Sequence, residues 1–361
     1  MKKLLSSLLV AIMTVSLAAC GSEVQPAPST TAAPEVAEVT EASTVGVMET
    51  TTAALATYEN LYPDYILGEN ETSVTYLNKF GEATTISKNP EKVVVIYNSL
   101  LGLWYYMGGE SMTKVKGSSN VPEEAKDLVD LGSSYSLSLE AIIAFEPDLI
   151  IMSANIDSSV AMAPSLKEMG IETMIIDAKT KSYDRFAQNA YLFSKVLGTE
   201  AMYDEKTAQV LDRVDAVIKQ ASEAEVHPRV APLFATSKSL SLETDIAQIG
   251  EIVAMLGGEN IYSEEDLLAE GETRIPFSIE ALVTQNPEII LVSTMGDIDS
   301  AKENIQAMIA ENPVWNEVDA VKNDQVFFLD KDLSVYKPNQ RYDEAFLMVA
   351  EMMYPALFPT E

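Results

Sequence analysis

Most apolar runs in this chain are short and bounded by turn residues. Val93 to Tyr97, Asp148 to Met152, Gly170 to Asp177, Arg229 to Ser237, Glu288 to Val292 and Asp324 to Asp330 each carry a nearly unbroken apolar stretch. Such runs, lacking a polar alternate, predict strands buried on both faces of a parallel sheet. "SVTYLNKFGEATTIS" (Ser73 to Ser87) alternates around Phe80-Gly81 instead, and predicts a hairpin. Leu100 to Met107 reads as a helix stopped by Gly108-Gly109. Tyr183 to Glu225 is predicted helical and broken once near Gly198. A helix from Glu200 to Glu225 would run roughly 35–40 Å. Val210, Val214 and Ile218 recur at four-residue spacing and give it one packed face.

One unit is written twice: "SLEAIIAFEPDLIIMS" from Ser138 and "SIEALVTQNPEIILVS" from Ser278. Ser138 and Ser278 are good helix N-caps, and Glu140 and Glu280 sit in the first turn, where the helix dipole favours an acid. Pro147 and Pro287 cut each helix short, and a buried strand follows. Two copies of a short helix, a proline break and a buried strand predict two lobes of similar build. The expected fold class is therefore α/β, with two Rossmann-like lobes, each around a central sheet, bridged by one long α-helix. The expected division is an N-terminal α/β lobe over 58–183, a linking helical segment over 184–226 and a C-terminal α/β lobe over 227–361.

The first residues read differently. In "MKKLLSSLLVAIMTVSLAACGSE", Lys2 and Lys3 precede an apolar stretch from Leu4 to Leu17 that is short for a bilayer span. Leu17-Ala18-Ala19-Cys20 resembles a bacterial lipobox, and Cys20 is the only cysteine in the chain. The expectation is a lipoprotein signal peptide over 1–20, with Cys20 as lipid anchor on the outer face of the cytoplasmic membrane. Residues 21–57, rich in Ala, Thr, Pro, Glu and Val and without an aromatic residue, read as a disordered tether.

Composition narrows the partners. The chain has 361 residues, is 47% hydrophobic and carries a formal net charge of −31 at pH 7. A polyanion is repelled by nucleic acid and by anionic lipid, so neither is an expected partner, apart from the membrane reached through the lipid anchor. No G-x-S-x-G elbow, G-x-G-x-x-G, phosphate-binding G-x-x-x-x-G-K-[ST] loop or H-E-x-x-H occurs. With one cysteine and one histidine (His227, in "EVHPRV") there is no visible catalytic set, and no enzyme activity is expected. A bare transition-metal site, which needs several converging His and carboxylates, is disfavoured for the same reason.

A lipobox, two similar lobes and one connecting helix occur here with "NPEKVVVIYNSLLGLWYYMG", "LSLEAIIAFEPDLIIMS", "EMGIETMIID", "IVAMLGGENIY", "IPFSIEALVTQNPEIILVS" and "VWNEVDAVKNDQVFFLD". In this order and spacing they resemble the substrate-binding proteins of bacterial ABC importers, in the class that handles ferric siderophores, haem and cobalamin. The resemblance spans about Val74 to Pro355. It implies a ligand cleft between the lobes, and a permease dimer with its ATPase subunits as the partner of a monomeric binding protein. It also implies that Glu140 and Glu280 project from the lobe tips into basic pockets of that dimer. Two equivalent pockets call for two acids related by approximate symmetry, although a plain helix-start role explains an acid at each position.

Ligands of open α/β sheets bind beyond the carboxyl ends of the strands. Those ends give Tyr97, Asn98, Ser118, Tyr135 and Ser153 in the first lobe and Lys238, Met295 and Lys331 in the second. Tyr97 and Tyr135 offer aromatic rings with polar tips. Arg274, Lys337 and Arg341 join Lys238 and Lys331 as cations that could meet an anionic chelate. Relatives often carry Pro-Arg where this chain has Pro338-Asn339-Gln340-Arg341. No cofactor or metal of the protein's own is expected. The expected ligand is an iron chelate of the ferric siderophore type, with haem or a corrinoid as alternatives; for haem, Tyr97, Tyr135, Met112 and Met295 are the candidate iron ligands.

Overall fold

The computed structural model describes residues 64–117, 120–177, 181–236, 239–262 and 272–359. Cys20, the tether, Ser118 and Lys238 lie outside the described residues.

β1 (Ile66–Glu69), β2 (Ser73–Leu77) and β3 (Ala83–Ser87) form an antiparallel sheet in that order. The hairpin predicted between β2 and β3 is present. Gly81 takes φ 74°, a region that glycine enters without strain, and Asn78 Oδ1 accepts from Phe80 N and Glu82 N. β1 went unread because it is largely exposed and carries no alternation. β2 turns Val74 and Tyr76 inward. The Tyr76 hydroxyl accepts from Ile175 N at 2.9 Å and donates to Ile175 O at 3.2 Å. It thereby occupies backbone groups that an absent neighbouring strand would have paired.

The N-terminal lobe follows: β4 (Val93–Val95), α1 (Asn98–Tyr106), β5 (Thr113–Lys114), β6 (Val129–Asp130), α2 (Leu139–Ile143), β7 (Leu149–Ser153), α3 (Asp157–Val160), α4 (Ala163–Glu168) and β8 (Glu172–Ile176). β4, β7 and β8 pair in that order, all parallel, and β5 pairs parallel with β6. Every residue of β4 and β7 is buried, as their unbroken apolar runs predict.

α5 (Ser182–Leu197) ends at Gly198, whose φ of 65° and ψ of 34° stop the helix where the sequence placed the break. α6 (Glu200–Met202) runs through a π-helical turn at Tyr203–Thr207 into α7 (Ala208–Ala221). The continuous piece is about 33 Å long. It stops short of the expected Glu225: Ser222 to Glu225 offer no large apolar side chain to hold another turn, and Val226 beyond them is exposed. Val210 and Val214 are buried on its inner face.

The C-terminal lobe comprises β9 (Arg229–Ala235), β10 (Leu240–Glu243), α8 (Gln248–Met255), β11 (Glu259–Asn260), β12 (Arg274–Pro276), α9 (Ile279–Gln285), β13 (Ile289–Thr294), α10 (Ile298–Glu311), α11 (Asp319–Lys322), β14 (Val326–Phe328), α12 (Lys331–Ser334) and α13 (Tyr342–Met353). Its sheet runs β12-β10-β9-β13-β14, with β11 also on β9. β9, β13 and β14 are parallel; β10 and β12 are antiparallel. The antiparallel edge arises because β9 turns straight back into β10, closed by Thr236 N donating to Ser239 O. Pro232 sits inside β9, and β10 pairing ends at Leu242–Leu233, next to the residue that has no N–H to give.

One core cluster joins β4, β7, α1, α5 and α7 to α8 and α13. A second fills the interior of the C-terminal lobe, and a third covers the other face of β4 and β7. α13 returns from the C-terminal lobe to pack on α7 and α5. Tyr342 and Phe346 meet Tyr183 edge-on at centroid distances of 5.3 and 5.0 Å.

Candidate functional site

The repeated units fold alike. Ser138 Oγ accepts from Ala141 N at 3.3 Å and donates to Glu140 Oε2 at 2.7 Å. Ser278 Oγ accepts from Ala281 N at 3.2 Å and donates to Glu280 Oε2 at 3.0 Å. Each serine caps its helix and steadies the acid. Both carboxyls are held below the usual range, Glu140 first by its serine and then by its own backbone N–H, Glu280 by the same two groups in the reverse order. Both side chains stand in solvent, and no cation among the described residues pairs with either.

At the carboxyl ends of the N-lobe strands, Tyr97 is half-buried and Tyr135 is 71% exposed. Burial raises the Tyr97 phenol, and the neighbouring Tyr135 raises it further. Asn98 is buried and holds the chain beyond β5: its Nδ2 donates to Val115 O at 2.7 Å and to Gly117 O, and its Oδ1 accepts from Val115 N at 3.2 Å. Ser153 is buried too, its Oγ accepting from Asn155 N at 3.2 Å. On the second lobe Met295 is 53% exposed just past β13, and Lys331 is half-buried at the start of α12.

The lobes are stitched by polar groups. Lys181 N donates to Ile246 O at 3.1 Å, and Asn120 Nδ2 to Lys337 O at 2.7 Å. Asn339 Nδ2 donates to Ser99 O at 3.0 Å. Asn339 has φ 51°, a left-handed conformation that asparagine tolerates better than most residues. This gives the departure from Pro-Arg a structural reason: the asparagine makes a bond between lobes. Gly102 on α1 lies beneath it, and a Cβ there would come within 3.0 Å of Asn120 O.

Around these stitches lies a charged centre that sequence reasoning did not assemble. Gln248 Nε2 donates to Leu333 O at 2.8 Å, and Lys337 Nζ reaches Gln248 Oε1 at 3.4 Å. Glu251, one turn along α8, accepts from Tyr183 N at 3.1 Å, at the start of α5. Burial pushes the Glu251 carboxyl up to about 7. Lys337 is pulled down to about 8 by burial, against the opposing pull of Glu251, Glu243 and Asp177. Arg274 donates from Nε and Nη2 to Glu243 Oε1 at 3.0 and 2.8 Å, and its guanidinium lies 3.5 Å from the centre of the Phe234 ring. Gly250 makes this packing feasible, since a Cβ there would stand 1.9 Å from Thr244 O. A single acid within the apolar run "IGEIVAML" was the signal for Glu251.

Arg341 pairs outside this centre but shares a cavity with Lys337. Its Nε and Nη2 bind Glu344 at 3.0 and 2.7 Å, and it lines a cavity of about 400 Å³ together with Tyr105, Tyr106 and Asn120. His227 is also elsewhere, with Nδ1 3.0 Å from the Tyr354 hydroxyl. Among the described residues no group of three or more His, Cys, Asp and Glu side chains is placed to hold a metal ion.

Known proteins share this fold. An uncharacterized ABC transporter substrate-binding lipoprotein of Bacillus subtilis, YvrC, is 24% identical over 288 residues, covering 79% of this chain and 87% of its own. The structure of Staphylococcus aureus IsdE complexed with heme superposes with a TM-score of 0.63 at 21% identity, over 73% of this chain and 98% of that one. The catecholate-siderophore binding protein VctP of Vibrio cholerae does so with a TM-score of 0.60 at 19% identity, over 78% and 99%. Residues 93–333 match the family described as periplasmic binding protein. The chain belongs to the periplasmic binding protein family, whose members bind solutes for transport and are not enzymes.

Proposed function

We propose that this protein captures a metal chelate where its two lobes meet and delivers it to the permease of an ABC importer. The observation that carries the delivery role is the pair of capped acids. Glu140 and Glu280 sit on different lobes, each bonded to its own capping serine and neither paired with a cation among the described residues. That fits a partner with two equivalent basic pockets. The ligand of first choice is a ferric siderophore, with haem or a corrinoid as the alternative. Relatives of both kinds support this range: IsdE is described as part of a high-affinity heme uptake system, and VctP as a catecholate-siderophore binder. Tyr97, Tyr135 and Met295 would face the chelate. Lipid attachment through Cys20 would hold the protein on the outer side of the cytoplasmic membrane.

Thermal melts with ferric siderophores, haem and corrinoids test this reading. A ligand at 100 times its dissociation constant adds about 2.7 kcal/mol to the stability of the folded chain. One of these ligands should raise the melting temperature, and a flat response to all three classes would sink the proposal.

A further inference from the structure

A second cavity lies away from the meeting of the lobes. It measures about 580 Å³, and every described residue lining it falls between Asp64 and Asn189, so the C-terminal lobe adds nothing to its wall. It sits where the antiparallel sheet meets the carboxyl end of β8 and the first turns of α5. The wall is tied together by its own bonds. The Tyr65 hydroxyl donates to Asn189 Oδ1 at 2.8 Å, Asn189 Nδ2 donates to Asp177 O at 3.1 Å, and the Tyr76 hydroxyl holds the Ile175 backbone. A wall bonded in this way is preformed, and a ligand entering it loses little to ordering. Its volume falls in the range of small-molecule sites, about 300–1,000 Å³.

Among the described residues two acids and two cations line it: Asp64, Asp177, Lys79 and Arg185. Asn155 joins two of them. With its amide turned to suit both neighbours, it accepts from Lys79 Nζ at 2.8 Å and donates to Asp177 Oδ1 at 3.1 Å. The other two are less engaged. Arg185 is half-buried; its Nη1 donates to Gln188 Oε1 at 2.6 Å, and its guanidinium pairs with no carboxylate among the described residues. Asp184, beside it on α5, feels its charge but does not line the cavity. Asp64 is exposed, with no cation partner among the described residues. Tyr65, Leu77 and Ile175 add half-buried apolar surface. A plain anion meets two acids here and a plain cation meets two cations. A molecule that carries both charges suits both pairs.

We propose that this cavity is a second binding site and takes a small zwitterion with an apolar side chain, a free amino acid or a short peptide. The carboxylate of the ligand meets the fork of Arg185, whose parallel N–H donors match a carboxylate. Its ammonium group meets Asp64, and its side chain lies on Tyr65, Leu77 and Ile175. The site is independent of the chelate reading above.

Titration calorimetry on the full mature chain tests this with leucine and leucyl-leucine, each also in N-acetylated and in C-terminally amidated form. At least one of the two zwitterions should bind, and which one binds tells a free amino acid from a peptide. Amidation should weaken the binder by roughly ten-fold or more, the scale of one hydrogen bond to a charged group. N-acetylation should weaken it by about two- to five-fold, a smaller factor because Asp64 is exposed. Arg185→Gln should reproduce the effect of amidation. Asp64→Asn should reproduce that of N-acetylation and leave the N-acetylated form unaffected. Asp64 is exposed, so this second variant keeps the test alive if Arg185→Gln fails to fold. Tyr135→Ala should retain the affinity for the zwitterion. No binding of leucine or leucyl-leucine overturns the proposal, and so does equal binding of the blocked forms. Loss of zwitterion binding in Tyr135→Ala also overturns it, by moving the ligand to the chelate residues. Failure of every chelate in the thermal melts bears on the earlier reading alone.

Discussion

The backbone N–H of Tyr183 donates to Glu251 Oε2 at 3.1 Å, so a carboxyl from α8 of the second lobe caps the first turn of α5. Ser182 Oγ approaches the same oxygen at 3.5 Å. The groups facing this carboxyl are Lys337, Asp184 and the buried phenol of Tyr342.

This contact gives stability a pH dependence. Burial raises the folded-state pKa of Glu251 from 4.5 to about 7. Between those values the folded chain keeps a proton that the unfolded chain has released. The contribution is fully present below the unfolded value and is lost as pH rises through 7. We expect it to be worth about 1–3 kcal/mol. Gln at this position resembles the protonated acid and still accepts from Tyr183. Glu251→Gln should therefore show a smaller fall in melting temperature than the unaltered protein between pH 5 and pH 8. Parallel melting profiles for the two proteins would show that this carboxyl does not titrate across that window.

The docking acids predict the opposite combination. Glu140→Ala and Glu280→Ala each remove a solvated side chain whose serine still caps the helix. Melting temperature and chelate affinity should stay within error. Uptake in cells, or stimulation of the importer ATPase in vesicles, should drop in each single variant and further in the double. Lys at both positions should be worse than Ala, because like charges would then face each other. Full uptake by the double Lys variant would reduce both acids to helix-start residues.

Asn339 separates backbone strain from bonding. Asn339→Gly keeps the left-handed conformation but loses the bond to Ser99 O, a cost of about 1 kcal/mol. Asn339→Ala loses the bond and also places a Cβ at φ 51°, adding about 1–2 kcal/mol. Urea unfolding should rank the unaltered protein above Gly and Gly above Ala. Equal stability of the Gly and Ala variants would show that the turn relaxes.

Tyr135 and Tyr97 should differ in how they matter. Tyr135 is largely exposed, so Tyr135→Ala should weaken chelate binding and leave the melt unchanged. Tyr97 packs against the first core, so Tyr97→Ala should lower both affinity and stability, while Tyr97→Phe should restore stability. Unchanged affinity in both Ala variants would move the ligand elsewhere.

The fold was more legible than the site. β7 and β13 announced themselves because a strand buried on both faces needs an unbroken apolar run. Gly198 and the serine caps were visible because each acts on its immediate neighbours. β10 and β12 were harder to see: both are short, and β12 is an edge strand with no buried residue. Apart from Glu251, a lone acid in an apolar run, the charged centre had no local signature. Asp177, Glu243, Glu251, Arg274 and Lys337 come from five separate places in the chain, and only packing brings them together. Arg274 could be named as a cation from the sequence, but its engagement by Glu243 could not.

The return of α13 bears on how this chain is made. Tyr342, Phe346 and Val349 belong to the core that Val93, Leu149 and Phe186 begin. A ribosome delivers those first residues long before the last helix emerges. Until then the early half presents an open apolar surface where the final helix will lie. An incomplete chain therefore lacks the helix that completes this core. A chain cut before Tyr342 should show the cost as rapid proteolysis within the first lobe, far from the cut.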